Sequence, residues 1–187
     1  TVIGTTIGML CGYFGGKFDV IIMRFVDILL AFPDTVFAIA VAGMLGPGVL
    51  NALIALGLLS WTSFARMARS LTASVREKDF IVQARFNGAS TPKIIFKYFL
   101  PNVAPQIIVM ATMRIGGTIL SLSSLSFLGL ASQPPTPEWG VMVSESKAYM
   151  QMAPWMMIYP GLSLALTVVI FNLLGDSLRD LMDTKKQ

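Results

Sequence analysis

The sequence predicts an all-helical, multi-pass membrane protein, and three observations carry that prediction. Apolar residues make up 55% of the 187 positions and charged residues only 13%, where a soluble domain carries about 25% charged. The apolar residues fall into five long segments, each near the roughly 20 residues that a span needs. The basic residues are sorted onto alternate connections, as the positive-inside rule asks of a polytopic chain. No soluble domain is predicted.

The first segment, residues 2–14, is short, and the chain opens at Thr1 already inside it, with no charged leader. It therefore does not read as a signal peptide. The expectation is a chain incomplete at its N-terminus, with at least one span upstream. The second segment runs over 20–45 and the third over 49–64, joined at Gly46-Pro47-Gly48, where both residue types break helices. The fourth covers 103–125 and the fifth 154–174. Alternating spans put Lys17, Arg24, Arg66, Arg69, Arg76, Lys78, Arg85, Lys93, Lys97, Arg179, Lys185 and Lys186 on one side. Lys147 is left outside and Arg114 inside a span. The net charge of +4 is thus an orientation signal, and nucleic acid is not an expected partner.

Between the third and fourth segments lies a basic, polar stretch of about 66–102. Residues 65–81 read as a cytoplasmic extension of the third span. Gly88 permits a sharp turn or a close helix approach. Thr91 is a suitable N-cap and Pro92 suits the first helical position, where its missing N–H costs nothing. A helix over 93–99 would then present Ile94, Ile95, Phe96, Tyr98 and Phe99, stopped by Leu100-Pro101-Asn102. Such a helix either lies in the headgroup layer or fills a groove on another protein. Both readings bury the same apolar face.

Other residues narrow the chemistry. Histidine is absent and there is one cysteine, Cys11, so no internal disulfide, H-E-x-x-H metal motif or Ser–His pair can form. No G-x-x-x-x-G-K-[ST] phosphate loop occurs, so the chain has no such cradle for ATP. The twelve methionines read as packing, since soft thioethers lack nearby His or Cys to complete a metal site. Catalysis by this chain and a metal site are not expected. Arg114 lies inside a span, where charge is costly and usually functional. It lines a translocation path, pairs with an acidic residue of another subunit, or snorkels along its helix. Asp27, three residues after Arg24, reads most simply as a partner on the same helix face.

The stretch Val82-Gln83-Ala84, three residues, Gly88, nine residues, Tyr98, one residue, Leu100-Pro101 resembles the signature of permease subunits of ATP-binding-cassette importers. That signature is Glu-Ala-Ala, Gly, Ile and Leu-Pro at the same spacings. Ala84, Gly88, Leu100 and Pro101 match it, and Val82, Gln83 and Tyr98 depart from it. Ser126-Phe127-Leu128-Gly129-Leu130, Pro134-Pro135-Thr136-Pro137-Glu138-Trp139-Gly140 and the ending 171–183 are similar to the dipeptide, oligopeptide and nickel branch. Within it the chain looks closest to the second, C-type permease.

The resemblance implies a type I importer transmembrane domain, with five spans visible of an expected six, and one permease domain over 1–187. It implies a coupling helix built from Ala84, Gly88, Ala89, Ser90, Thr91, Pro92, Ile95, Leu100 and Pro101, seated in an ATPase subunit. The implied partners are a paralogous permease, two ATPase subunits and an extracytoplasmic substrate-binding protein, in the cytoplasmic membrane of a prokaryote. ATP and Mg would be bound by the ATPases, with no cofactor in this chain. The cargo would be peptides or metal chelates of the nickel and opine type. A channel or secondary transporter working without ATP is the competing class, disfavoured because it needs no docking helix.

Overall fold

The computed structural model describes residues 1–183, apart from the side chains of Arg85 and Asp183. Lys185 and Lys186, two of the predicted orientation charges, lie outside the described residues. Every regular element among those described is helical: α1 (Val2–Phe14), α2 (Gly16–Leu30), α3 (Asp34–Leu45), α4 (Val49–Arg76), α5 (Asp79–Phe86), α6 (Thr91–Ile94), α7 (Leu100–Phe127), α8 (Trp139–Ser146) and α9 (Trp155–Asp183). The chain forms two compact units, one chiefly from residues 1–32 and 59–111, the other from 33–58 and 112–181.

Four of the five predicted spans survive, with three corrections, while α1, at 13 residues, is a shorter apolar helix. The helices over Val49–Arg76, Thr91–Phe127 and Trp155–Met182 are long and apolar enough to cross a membrane. The expected span over 20–45 is instead α2 and α3, a pair that passes the same test only together. Apolar composition runs straight through, but Pro33 has no N–H to continue the ladder and takes an extended conformation, φ −61° and ψ 122°. Asp34 then opens α3 at its electropositive end. The extension of the third span reaches Arg76 rather than residue 81, because Glu77 and Lys78 turn the chain into α5. The third correction, at Leu100-Pro101, belongs to the site below.

In the first unit, α1 meets α4 through a glycine stripe. Gly4, Gly8 and Gly12 stand one turn apart, and a Cβ on each would strike the carbonyls of Trp61, Ala65 and Arg69. At Gly12 the approach would be 2.7 Å, closer than real Cβ atoms come. Lipid gives no hydrophobic drive for helices to associate, so backbone proximity and van der Waals contact supply it. Two ion pairs join α2 to α4. Arg69 grips Asp19 through Nε at 3.0 and 3.2 Å and through Nη2 as well, and Asp19 is buried. Arg66 holds Asp27 through one nitrogen, both side chains about half exposed. Asp27 therefore pairs across helices and not with Arg24, because α4 brings it a better-placed cation.

In the second unit, Asn51 Nδ2 donates to the carbonyls of Leu45 and Gly46, each at 3.0 Å, and closes the predicted turn between α3 and α4. Ala38, Ala52, Leu125 and Ala131 form its core. Gly140 seats α8 against the Ser123 carbonyl of α7, and Gly116 seats α7 against Val168 of α9. The loop before α8, although it carries Pro134, Pro135 and Pro137, is turned rather than extended. The Thr136 amide donates to the Gln133 carbonyl at 2.9 Å and makes a turn.

Candidate coupling segment

The polar stretch folds onto the end of α4 as a small core of its own. Val75, Ile81, Ile94 and Phe99 are buried together, with Tyr13, Ala89, Ile95 and Tyr98 packed against them. Burying each such large side chain contributes about 2 kcal/mol where the surroundings are aqueous. The apolar face expected to be presented is thus largely turned inward: Ile94 and Phe99 are at most 1% exposed. The reason is that the short helix does not end at Leu100-Pro101-Asn102. It runs through a π-turn at Ile95–Phe99 directly into α7.

That turn accommodates the proline. Pro101 offers no N–H one turn on, which would ordinarily break or kink a helix. Within the π-turn the Leu100 amide reaches back five residues to the Ile95 carbonyl. The Asn102 side-chain amide donates to the Tyr98 carbonyl at 2.7 Å.

Gly88 ends α5. Its φ is +73°, a left-handed conformation that other residues pay to adopt. The Ala89 amide donates to the Ala84 carbonyl at 3.0 Å, the six-residue bond of a Schellman ending. A Cβ at Gly88 would meet nothing within 4 Å, so inside this chain the requirement is conformational rather than steric. Gly129 closes α7 the same way, with φ +77° and the Leu130 amide on the Leu125 carbonyl at 2.8 Å.

The helix start is one residue earlier than its sequence suggests. Ser90 holds the N-cap position without a side-chain cap, Thr91 is the first helical residue, and Pro92 follows within the first turn. The Thr91 hydroxyl is instead in a 3.3 Å hydrogen bond with the Tyr13 hydroxyl. Capping is given up for a tie to α1.

The nine residues implied by the resemblance therefore divide. Gly88, Ser90, Pro92 and Pro101 are exposed. Ala84 is buried, Ala89 supports the small core, Leu100 packs on the cluster around Met9, Phe64 and Val103, and Ile95 touches both cores. Phe86 and Phe96 are 86% and 68% exposed. They flank the turn as two aromatic knobs, and Phe86 was not singled out from sequence. Its signal was an aromatic ring inside an otherwise polar stretch. Arg114 lies half-buried in α7, away from this segment in sequence, and its carbonyl accepts a 2.8 Å bond from the Thr118 hydroxyl.

The matching family model covers residues 4–187 and describes the binding-protein-dependent transport system inner membrane component. The chain belongs to that family. This bears out the resemblance to importer permeases drawn from residues 82–101. As a member of the family, it is similar to the dipeptide transport system permease protein DppC of Alkalihalophilus pseudofirmus, at 46% identity over 98% of this chain and 60% of that protein. It is 46% identical to the glutathione transport system permease protein GsiD of Pectobacterium atrosepticum over 98% of this chain and 61% of that one. Against GsiD of Escherichia coli the identity is 49%, over 98% and 60% of the two chains. The chain spans about 60% of the length of these curated relatives. The peptide branch is thus the one its relatives represent.

Proposed function

We propose that this chain is a membrane-spanning subunit of an ATP-driven importer for short peptides, in the cytoplasmic membrane of a prokaryote. The observation that carries the reading is the coupling segment. A polar turn with two exposed aromatic knobs is fixed by its own buried core and continues without a break into α7. Exposed aromatic side chains beside a rigid turn suit a groove on a partner, and the unbroken helix gives a push there a direct route into a span.

In this reading two ATPase subunits bind ATP and Mg and do the hydrolysis. A paralogous permease completes the path, and an extracytoplasmic binding protein delivers the peptide. Gly88, Ser90, Pro92, Phe86 and Phe96 meet the ATPase, while Ala84, Ala89, Thr91, Ile95, Leu100 and Pro101 hold the segment in shape. Arg114 lines the path and attracts a peptide carboxylate. Its placement in an apolar helix supports this, because charge there is retained at a cost. The names of the relatives favour dipeptides and glutathione-like tripeptides over nickel or opine chelates as cargo.

The test is mass spectrometry of the complex purified in mild detergent through a tag on this chain. Recovery of an ATPase and a second permease is expected. Recovery of this chain alone, or only with copies of itself, would move the assignment to an ATP-independent channel or carrier.

A further inference from the structure

In the second unit a pocket of about 280 Å³ opens where α7, α8 and α9 meet, walled by Ser123, Phe127, Leu128, Gly140, Val143 and Leu164. The hydroxyls around it are already satisfied within the chain. Ser123 donates to Glu138, Ser124 to the Leu120 carbonyl at 2.8 Å, and Ser144 to the Phe127 carbonyl at 2.9 Å. A polar visitor would therefore enter without hydrogen-bond partners, at a cost that hydrocarbon does not meet. Phe127 has a second neighbour. Lys147 holds its ammonium 3.5 Å from the centroid of that ring, and it is in no ion pair among the described residues. A cation held over an aromatic face, without a counter-ion, thus stands beside one wall of an apolar pocket. At the rim Ser124 and Leu128 are exposed.

We propose that this pocket seats one acyl chain of an anionic phospholipid, whose phosphate meets the Lys147 ammonium. The two contacts do different things. Hydrocarbon gains little by leaving the bilayer for an apolar pocket, so the chain alone selects no lipid. The headgroup does the selecting. A lysine ammonium serves a phosphate as a point charge, and a basic residue at the membrane surface favours an anionic headgroup. A zwitterionic lipid carries its own cation beside the phosphate, which leaves Lys147 less to add. The charge sorting of the chain points the same way. Lys147 is the one lysine on the side that the positive-inside rule leaves poor in basic residues, and a lipid phosphate gives it a local use there. The inference holds whatever cargo the protein carries.

The test uses the complex purified through a tag on this chain and placed in phosphatidylcholine vesicles. These contain a little phosphatidylglycerol with a photoreactive group in one acyl chain, and crosslinks are mapped by peptide mass spectrometry. Crosslinks are expected within 123–128 and 140–143, competed by excess plain phosphatidylglycerol and not by more phosphatidylcholine. Lys147→Gln should lower them at least about threefold, the effect of one basic residue at the membrane surface, and Lys147→Arg should retain them. Labelling at Leu173 and Leu174, exposed positions of α9 away from the pocket, should not change. Val143→Phe fills the pocket and leaves the charge in place, and should also lower the crosslinks at 123–128. It serves as the second variant should Lys147→Gln fail to assemble. Equal labelling by a photoreactive phosphatidylcholine, or crosslinks indifferent to both variants, would overturn the proposal. So would a pocket without crosslinks in the parent complex, which would mean that another helix covers it.

Discussion

At the residue scale the two ion pairs make opposite predictions from similar chemistry. Asp19→Asn leaves Arg69 beside a buried, weaker acceptor and should cost about 2 kcal/mol. Asp27→Asn should cost less than about 1 kcal/mol, because that pair is exposed. Thermal unfolding of the purified complex in detergent measures both, and equal shifts would remove the distinction. Gly88 separates conformation from contact. Gly88→Ala should strain the left-handed turn by about 1 kcal/mol and weaken ATPase association, whereas Gly88→Asn, which tolerates that conformation, should retain it. Loss in both variants would mean that the partner approaches the bare backbone. The sequence made Gly88 visible by its spacing from Leu100-Pro101, but nothing in a string of residues shows that its surroundings are open. Asp27 was misassigned because the helix-face rule sees Arg24 and cannot see Arg66 on another helix.

At the element scale most helices were legible, since apolar runs of span length have few alternatives in lipid. The errors lie where proline meets such a run. Pro33 breaks a segment whose composition continues unchanged, while Pro101 fails to break one that looked finished. A proline's effect depends on whether the preceding turn can re-route its hydrogen bonds, and only the π-turn reveals that. The glycine stripe of α1 was in plain sight at four-residue spacing, yet its meaning depends on the helix it faces. The cap of α8 carries a pH prediction. Burial pushes the Glu138 carboxyl up, but the Ser123 hydroxyl and the Gly140 and Val141 amides donate to it and hold it below its ordinary 4.5. A carboxylate so lowered stabilises the fold above its ordinary value, and the contribution is lost as pH falls through the folded one. Trp139 fluorescence should show an acid transition in the parent chain that Glu138→Gln lacks; an identical transition in both would assign it elsewhere.

At the scale of the whole molecule, charge sorting remains the strongest information in the sequence. Lys147 lies near α8, with its ammonium 3.5 Å over the Phe127 ring, in a loop assigned to the outside, and the coupling segment carries the opposite assignment. Thr136→Cys should therefore be labelled by an impermeant thiol reagent in intact cells, and Asn87→Cys only after permeabilisation. Both positions are exposed, so reversed labelling would invert the orientation and with it overturn the docking role proposed for Phe86 and Phe96. Membership of the family was legible from a handful of spaced residues. The pocket beside Phe127 was not, because it is made from α7, α8 and α9 together, and sequence distance hides that meeting.

The π-turn at Ile95–Phe99 also works as a phase shifter. A five-residue reach holds one residue more per closed turn than the ordinary helical reach, so everything before it is indexed differently around the axis from everything after. Deleting Lys97 would let the ordinary ladder close and rotate Thr91–Ile94 by about 100° against α7. Ile94 would swing out of the core it forms with Phe99. The span would still insert, and ATPase association would be lost, as co-purification would show. An intact association would mean that the angular setting of this helix is of no consequence.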